Sequence, residues 1–216
     1  MSRRPIPRRR YASKLNSSAA YACEPLERRM MLTTLTVNGT SGDDVFTYTH
    51  IGDTYSVTVN GSPTFYPAAS FDEMVLNGLA GADVFNIEKD EGHYVTANGG
   101  DGDDSCNLSP TAQNLDDVGG RVTFDAGPGS LQRLDMYDSL STSHREFHHT
   151  PHFTGYTRFG GIVDVPSPSV DYITVRAGPA DNEFYVYGSA ADEELFFFGD
   201  AGDDKLYPGI SDYDSD

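Results

Sequence analysis

Apolar and polar residues alternate in short runs from residue 33 onward, and each run breaks at a cluster of Gly, Asp and Asn. One register recurs. Leu35, Met74, Val95, Val122, Ile173 and Leu195 stand four residues before the first position of a turn, and Val37, Leu76, Ala97, Phe124, Val175 and Phe197 stand two before it. Phe46, Phe85, Cys106, Phe184 and Leu206 stand seven residues after it in the five unbroken copies. Alternation on both sides of a turn predicts strand, turn, strand with one face buried. In this register Cys106 is a small core residue, not a reactive thiol. Tyr55–Val59 followed by Asn60-Gly61 predicts one further strand and turn.

The turns themselves repeat. Asn38-Gly39-Thr40-Ser41-Gly42-Asp43-Asp44 returns as Asn77-Gly78-Leu79-Ala80-Gly81-Ala82-Asp83, as Asn98-Gly99-Gly100-Asp101-Gly102-Asp103-Asp104 and as Phe198-Gly199-Asp200-Ala201-Gly202-Asp203-Asp204. A degenerate copy is Arg176-Ala177-Gly178-Pro179-Ala180-Asp181-Asn182, and a broken one starts at Asp125-Ala126-Gly127 with one extra residue before Leu134. Glycine suits tight turns because it reaches positive φ without strain. The first positions are 39, 78, 99, 126, 177 and 199, separated by 39, 21, 27, 51 and 22 residues. The short separations predict one coil per repeat; the intervals of 39 and 51 then hold two coils, or one coil with an excursion. The expected fold is all-β, a right-handed parallel β-helix or β-roll-like solenoid. The alternative is an antiparallel β-sandwich, since Asn-Gly is also a hairpin signal.

Charge divides the chain. Residues 1–32 carry eight Lys or Arg against two Glu, and the remaining 184 residues carry seven bases against 31 acids. The expected organisation is a basic leader, 1–32, and an acidic repeat domain, 33–216, ending in the acidic tail Asp212-Tyr213-Asp214-Ser215-Asp216. An acidic domain disfavours nucleic acid and anionic membranes as partners and favours cations. No apolar run approaches the ~20 residues of a transmembrane helix, and Cys23 and Cys106 are too few for a disulfide framework.

The spacing Gly-x-x-Gly-x-Asp-x-apolar resembles the nonapeptide calcium repeat of the RTX, or hemolysin-type, proteins. On that resemblance the motif aspartate falls on Asp44, Asp83, Asp104 and Asp204, with Asn182 in the degenerate copy. The implied calcium ligands are Asp43, Asp44, Asp83, Asp101, Asp103, Asp104, Asp181, Asn182, Asp200, Asp203 and Asp204. Asp83 would share ions with Asp101, Asp103 and Asp104, and Asp181 and Asn182 with Asp200, Asp203 and Asp204. RTX repeats run in tandem on both edges of their roll; the wide spacing here puts ions on one edge at most. The competing reading is that these side chains cap turns by accepting backbone amides. In the leader, Glu24-Pro25-Leu26-Glu27-Arg28-Arg29-Met30-Met31-Leu32 resembles the LEPR-XLL segment found near the N-terminus of large bacterial surface or secreted proteins.

His144, His148, His149 and His152 form a separate cluster that could hold zinc, copper or nickel. His144 and His148 share a face on a helix, which Pro151 disfavours, so a solvated polar loop is expected. No nucleophile elbow or phosphate loop is present. Arg158 and Arg176 are the only bases that suit a polysaccharide lyase, and catalysis is not expected. The expected function is a calcium-stabilised structural or adhesive module of the cell exterior or envelope, with surface polysaccharide or other envelope proteins as partners. The alternative is a carbohydrate-active or carbohydrate-binding β-helix using Tyr156, Phe159, Tyr185 and Tyr187.

Overall fold

The computed structural model describes residues 33–151, 153–156, 162–165, 170–189 and 192–209. The LEPR-XLL-like segment, Cys23, His152, Arg158, Phe159 and the acidic tail lie outside the described residues.

The described chain is almost all strand. The first part holds β1 (Thr34–Asn38), β2 (Val45–Ile51), β3 (Thr54–Val59), β4 (Ser62–Pro67), β5 (Glu73–Ala80) and β6 (Val84–Lys89). Then come β7 (Tyr94–Asp101), β8 (Ser105–Leu108), β9 (Arg121–Asp125), β10 (Arg133–Tyr137), β11 (Glu146–Thr150) and β12 (Phe153–Tyr156). The last are β13 (Ile162–Asp164), β14 (Tyr172–Arg176), β15 (Glu183–Val186), β16 (Glu194–Phe198) and β17 (Lys205–Pro208). Among the described residues no helix is long and apolar enough to cross a membrane.

The strands form two sheets. Nine strands run in the order β1-β5-β7-β9-β13-β12-β11-β15-β17, and eight in the order β16-β14-β10-β8-β6-β2-β3-β4. Most neighbours are parallel, as the repeat predicts: β1, β5, β7 and β9 in one sheet, and β2, β6, β8, β10, β14 and β16 in the other. The sheets are nonetheless mixed. β2-β3-β4 and β11-β12-β13 are antiparallel. The wholly antiparallel sandwich is therefore not what forms. The 39-residue interval is one layer with a meander, closed by Asn60 (φ 50) and Gly61 (φ 80), two positive-φ residues of the kind a two-residue hairpin requires. The 51-residue interval carries the second excursion.

The alternation decides the core. Phe46, Met74, Leu76, Phe85, Val95, Ala97, Cys106, Phe124 and Val175 are fully buried in one cluster shared by both sheets. Cys106 is free, and burial pushes its thiol up. Equivalent rings stack across layers: Phe46 on Phe85 at 4.9 Å and Phe147 on Phe184 at 5.1 Å. Such pairs add about 0.5–1.5 kcal/mol each beyond area burial. Towards the ends the pattern outruns the packing. Leu35, Val37, Leu195 and Phe197 are half-buried, and Leu206 is exposed. Just before the first glycine of the turn, the Asn98 side-chain amide donates to Asn77 Oδ1 and the Asn77 side-chain amide to Asn38 Oδ1, both at 2.8 Å.

Candidate functional site

The turns between the sheets carry the repeat, and they fall on two edges. Turns 39–44, 78–83, 99–104 and 126–132 lead from the nine-stranded sheet into the eight-stranded one. Turns 177–182 and 199–204 lead the opposite way, because β14 and β16 belong to the eight-stranded sheet and β15 and β17 to the other. The expectation of a single edge is corrected. Between the earlier copies the chain crosses back between the sheets once, but between the copies at 126 and 177 it crosses twice, after β10 and after β13, and no residue inside a copy records that extra crossing.

On the first edge, the residue just before each incoming strand points inward and holds the layer behind it. The Asp44 amide donates to Asp83 Oδ1 (2.7 Å), the Asp83 amide to Asp104 Oδ1 (2.8 Å) and the Asp104 amide to Gln132 Oε1 (2.7 Å). The Gln132 amide continues the row to Asp171 Oδ2 (2.7 Å). Backbone bonds run the other way: Val84, Ser105 and Arg133 amides donate to the carbonyls of Asp44, Asp83 and Asp104. Asp44, Asp83 and Asp104 are fully buried. The preceding residue forms an outer row with opposite sense. Asp43 Oδ1 accepts the Ala82 amide, and Asp103 Oδ1 the Ser130 amide, each at 2.8 Å. Asp103 thus accepts from the next layer and Asp104 from the previous one, whereas Asp44, in the first copy, accepts from Thr40 and Asn60.

The second edge repeats the scheme with different charge. The Arg145 amide donates to Asn182 Oδ1 (3.1 Å), the Asn182 amide to Asp204 Oδ1 (2.9 Å) and the Asp203 amide to Asp181 Oδ1 (2.8 Å). So the neighbours expected to share ions are brought together: Asp83 with Asp104, Asn182 with Asp204, Asp181 with Asp203. Asp101 and Asp200 remain exposed at the rims of their turns.

The first glycine of each copy has a reason other than φ. Positive φ belongs to later glycines of the turns, such as Gly81 and Gly202. At the first position the constraint is space. A Cβ on Gly39, Gly78, Gly99 or Gly199 would lie 2.0–2.5 Å from Oδ2 of Asp44, Asp83, Asp104 or Asp204. Where the first position is alanine, at Ala126 and Ala177, the ladder residue is Gln132 or Asn182. The carboxylate oxygen occupies the room a side chain would need.

That enclosure has an electrostatic consequence. Among the described residues, the buried oxygens Asp83 Oδ2, Asp90 Oδ2, Asp104 Oδ2 and Tyr48 Oη have no hydrogen-bond partner. Burial pushes the Asp104 carboxyl up to about 6; the Asp83 amide opposes this, and the charges of Asp83 and Asp103 add to it. Asp83 is raised likewise by burial, with Asp44 and Asp43 beside it. Burial also acts on Asp44, but the Thr40 amide, the Asn60 amide group and the Thr40 hydroxyl outweigh it and hold this carboxyl below its ordinary value.

Two residues important to the second edge carry no repeat signal. Arg145 is fully buried, its guanidinium bonded to both oxygens of buried Asp138 and, at 2.6 Å, to Asp116 Oδ1. Asp138 in turn accepts the Leu115 amide (2.8 Å). Gln132 was legible only as the extra residue in the broken copy.

The histidines separate, and the solvated loop expected here is corrected: alternation of Phe147 and His149 inward makes strand β11. His149 points inward, with Thr154 Oγ1 at 2.9 Å and Glu193 Oε2 at 3.0 Å. His148 lies on the outer face and stacks on Tyr185 at 4.9 Å. His144 sits in the turn before β11, bonded to the Asp181 carbonyl. Arg176 lies elsewhere, on the outer face of the eight-stranded sheet. Its guanidinium is 5.0 Å from the Phe198 ring and 5.8 Å from Tyr137, in a shallow groove also lined by Arg133, Asp135, Tyr172 and Phe196.

The donor set bears on calcium directly. Calcium takes six to eight oxygens at about 2.3–2.6 Å. Among the described residues no three turn aspartates bring carboxylate oxygens within 4.8 Å of one another. The inner oxygens are spent on amides or shut against glycine, so the inner row does not fit an ion cage. Second carboxylate oxygens of the exposed outer row are the ones left to solvent. No family model, no curated protein and no solved structure matches this chain.

Proposed function

We propose that residues 33–216 are a non-catalytic structural or adhesive repeat module of the cell exterior or envelope, built as a β-solenoid with two antiparallel excursions. The observation that carries this reading is the reciprocal ladder. The side chains of Asp43, Asp83, Asp103, Asp104, Gln132, Asp181, Asn182 and Asp204 are spent on accepting amides of a neighbouring layer, which is work for a scaffold. Buried carboxylates accepting amides are poorly placed to reach a substrate. The exterior location rests on the resemblance of the repeat and leader to secreted bacterial proteins.

Calcium enters this proposal at the outer row: Asp43, Asp101, Asp103, Asp181, Asp200 and Asp203, all exposed. An ion there relieves repulsion among stacked acids and stabilises the fold by RT ln(1 + [Ca]/Kd), with the weak affinity, about 10⁻⁴–10⁻³ M, of extracellular modules. The test is thermal melting of the chelated chain during a calcium titration, with magnesium as control. A rise in melting temperature with calcium alone, lost in Asp103→Asn, supports the calcium component. An unchanged melt through millimolar calcium removes that component and leaves a scaffold held by caps alone.

The groove around Arg176 supports a second reading, binding of an acidic polysaccharide. Guanidinium groups beside exposed rings suit uronate sugars. Tyr185 and Tyr187, expected to serve this role, belong to the nine-stranded sheet. Retention on immobilised polygalacturonate that is abolished by Arg176→Ala would favour this reading; equal passage of both proteins would end it.

A further inference from the structure

The outer face of the nine-stranded sheet gathers imidazole and carboxylate groups outside the repeat. Along β11 the residues Phe147 and His149 face inward and are buried, so Glu146 and His148 share the outer face. On the neighbouring strand Glu183 is the register partner of Glu146, and Tyr185 that of His148. His144 reaches the same place from the turn. One ligand atom each from His144, Glu146 and Glu183 lies within 4.8 Å of the other two. His148 Nε2 is 3.4 Å from Glu146 Oε2.

Both imidazoles are held from behind. A carbonyl oxygen only accepts, so His144 Nδ1 carries the proton it donates to Asp181, which leaves Nε2 turned to Glu146 Oε1 at 3.8 Å. His148 Nδ1 is 3.1 Å from the Tyr187 hydroxyl, with its ring parallel to Tyr185 within 6°. Metal-ligating histidines are ordinarily fixed in this way through their second nitrogen. Two carboxylates directly opposite on adjacent strands repel. Here the Tyr185 hydroxyl and Lys205 Nζ, 3.0 Å from Glu183 Oε1, hold the Glu183 carboxyl below its ordinary value. Lys205 thus occupies part of the position a metal cation would take.

We propose that His144, Glu146 and Glu183, with His148 as fourth donor, form a surface site for a divalent first-row transition ion, of which zinc is the reference. Mixed imidazole and carboxylate donors suit zinc and its neighbours, whereas calcium takes oxygen alone. An ion there ties the turn before β11 to β15. The site shares no residue with the calcium proposal and stands or falls separately.

The test uses the untagged full chain, stripped with chelator and titrated with zinc by calorimetry and with cobalt(II) by visible absorption. The expected result is one equivalent of zinc, a cobalt d–d band that zinc abolishes, and no competition from millimolar calcium. His144→Ala and Glu183→Gln each weaken zinc by about tenfold or more, and Tyr187→Phe by about tenfold through the orientation of His148. Lys205→Gln tightens it severalfold, a direction that mere loss of structure does not produce. His50→Ala, whose ring pairs with Glu91 at 3.2 Å, leaves it unchanged. His144 is half exposed, so its removal spares the fold, and circular dichroism verifies this. Absence of a zinc equivalent, parental affinity in both His144→Ala and Glu183→Gln, or weaker binding in Lys205→Gln would overturn the proposal.

Discussion

The turns entering the eight-stranded sheet and those leaving it join layers by the same hydrogen bonds but carry different charge. The entering edge stacks three buried aspartates, Asp44, Asp83 and Asp104, before the neutral Gln132. At its later layers, the leaving edge sets Asn182 and Asp204 in the same role, with Asn182 accepting the Arg145 amide. One edge thus accumulates like charge in a dry place, and the other breaks it with an amide and an ion pair. The hydrogen-bond geometry asks only for an acceptor of the right length. Charge is a separate choice, and it decides how each edge responds to pH and substitution.

The largest way to break this contrast is Arg145→Met. It leaves Asp138 buried without its partner, and loss of one member of a buried pair costs about 3–5 kcal/mol. Urea unfolding should show that loss, and adding Asp138→Leu should recover most of it. Next comes Gly99→Ala, whose new Cβ would lie 2.2 Å from Asp104 Oδ2 and 2.5 Å from the Ala126 carbonyl oxygen. About 2–3 kcal/mol is expected from such overpacking. The equivalent change on the other edge, Ala177→Gly, should cost about 1 kcal/mol or less.

Acid sharpens the contrast further. Asp104 and Asp90 titrate near 6 in the fold, both raised chiefly by burial, against about 3.9 when unfolded. The folded state takes up these protons first, so stability falls as pH rises from about 4 through 6 and is regained on acidification. In calcium-free buffer the melting temperature should rise between pH 7.5 and 5, with about 1.4 kcal/mol from Asp104. A flat or falling profile would show that the buried oxygens are satisfied in solution. The smallest expected effect is Asp104→Asn, which keeps the acceptor for the Asp83 amide and removes the charge. It should gain about 1 kcal/mol at pH 7.5 and reduce the pH dependence to the part carried by groups such as Asp90 and Asp83.

The sequence by itself determined the strands flanking each repeated turn, the turns and the central core. Alternation around each Gly/Asp cluster is local, and the buried columns of Phe46, Phe85 and Cys106 or of Met74 and Val95 follow from it. The pairing of consecutive copies was equally legible, since Asp83 meets Asp104 and Asn182 meets Asp204 as their register implies. What only the tertiary structure decided is the edge on which each copy lies. Turns 177–182 and 199–204 look like their predecessors, yet one additional crossing between the sheets, from β13 to β14, places them opposite. The role of the first glycine was also out of reach, because the atom that excludes a side chain there is a carboxylate oxygen five residues on. So was the Arg145–Asp138 pair, which repeats nowhere. A repeat records contacts within a layer and with the next layer; sheet assignment depends on how many times the chain has crossed between the sheets, and that sum includes segments with no periodicity.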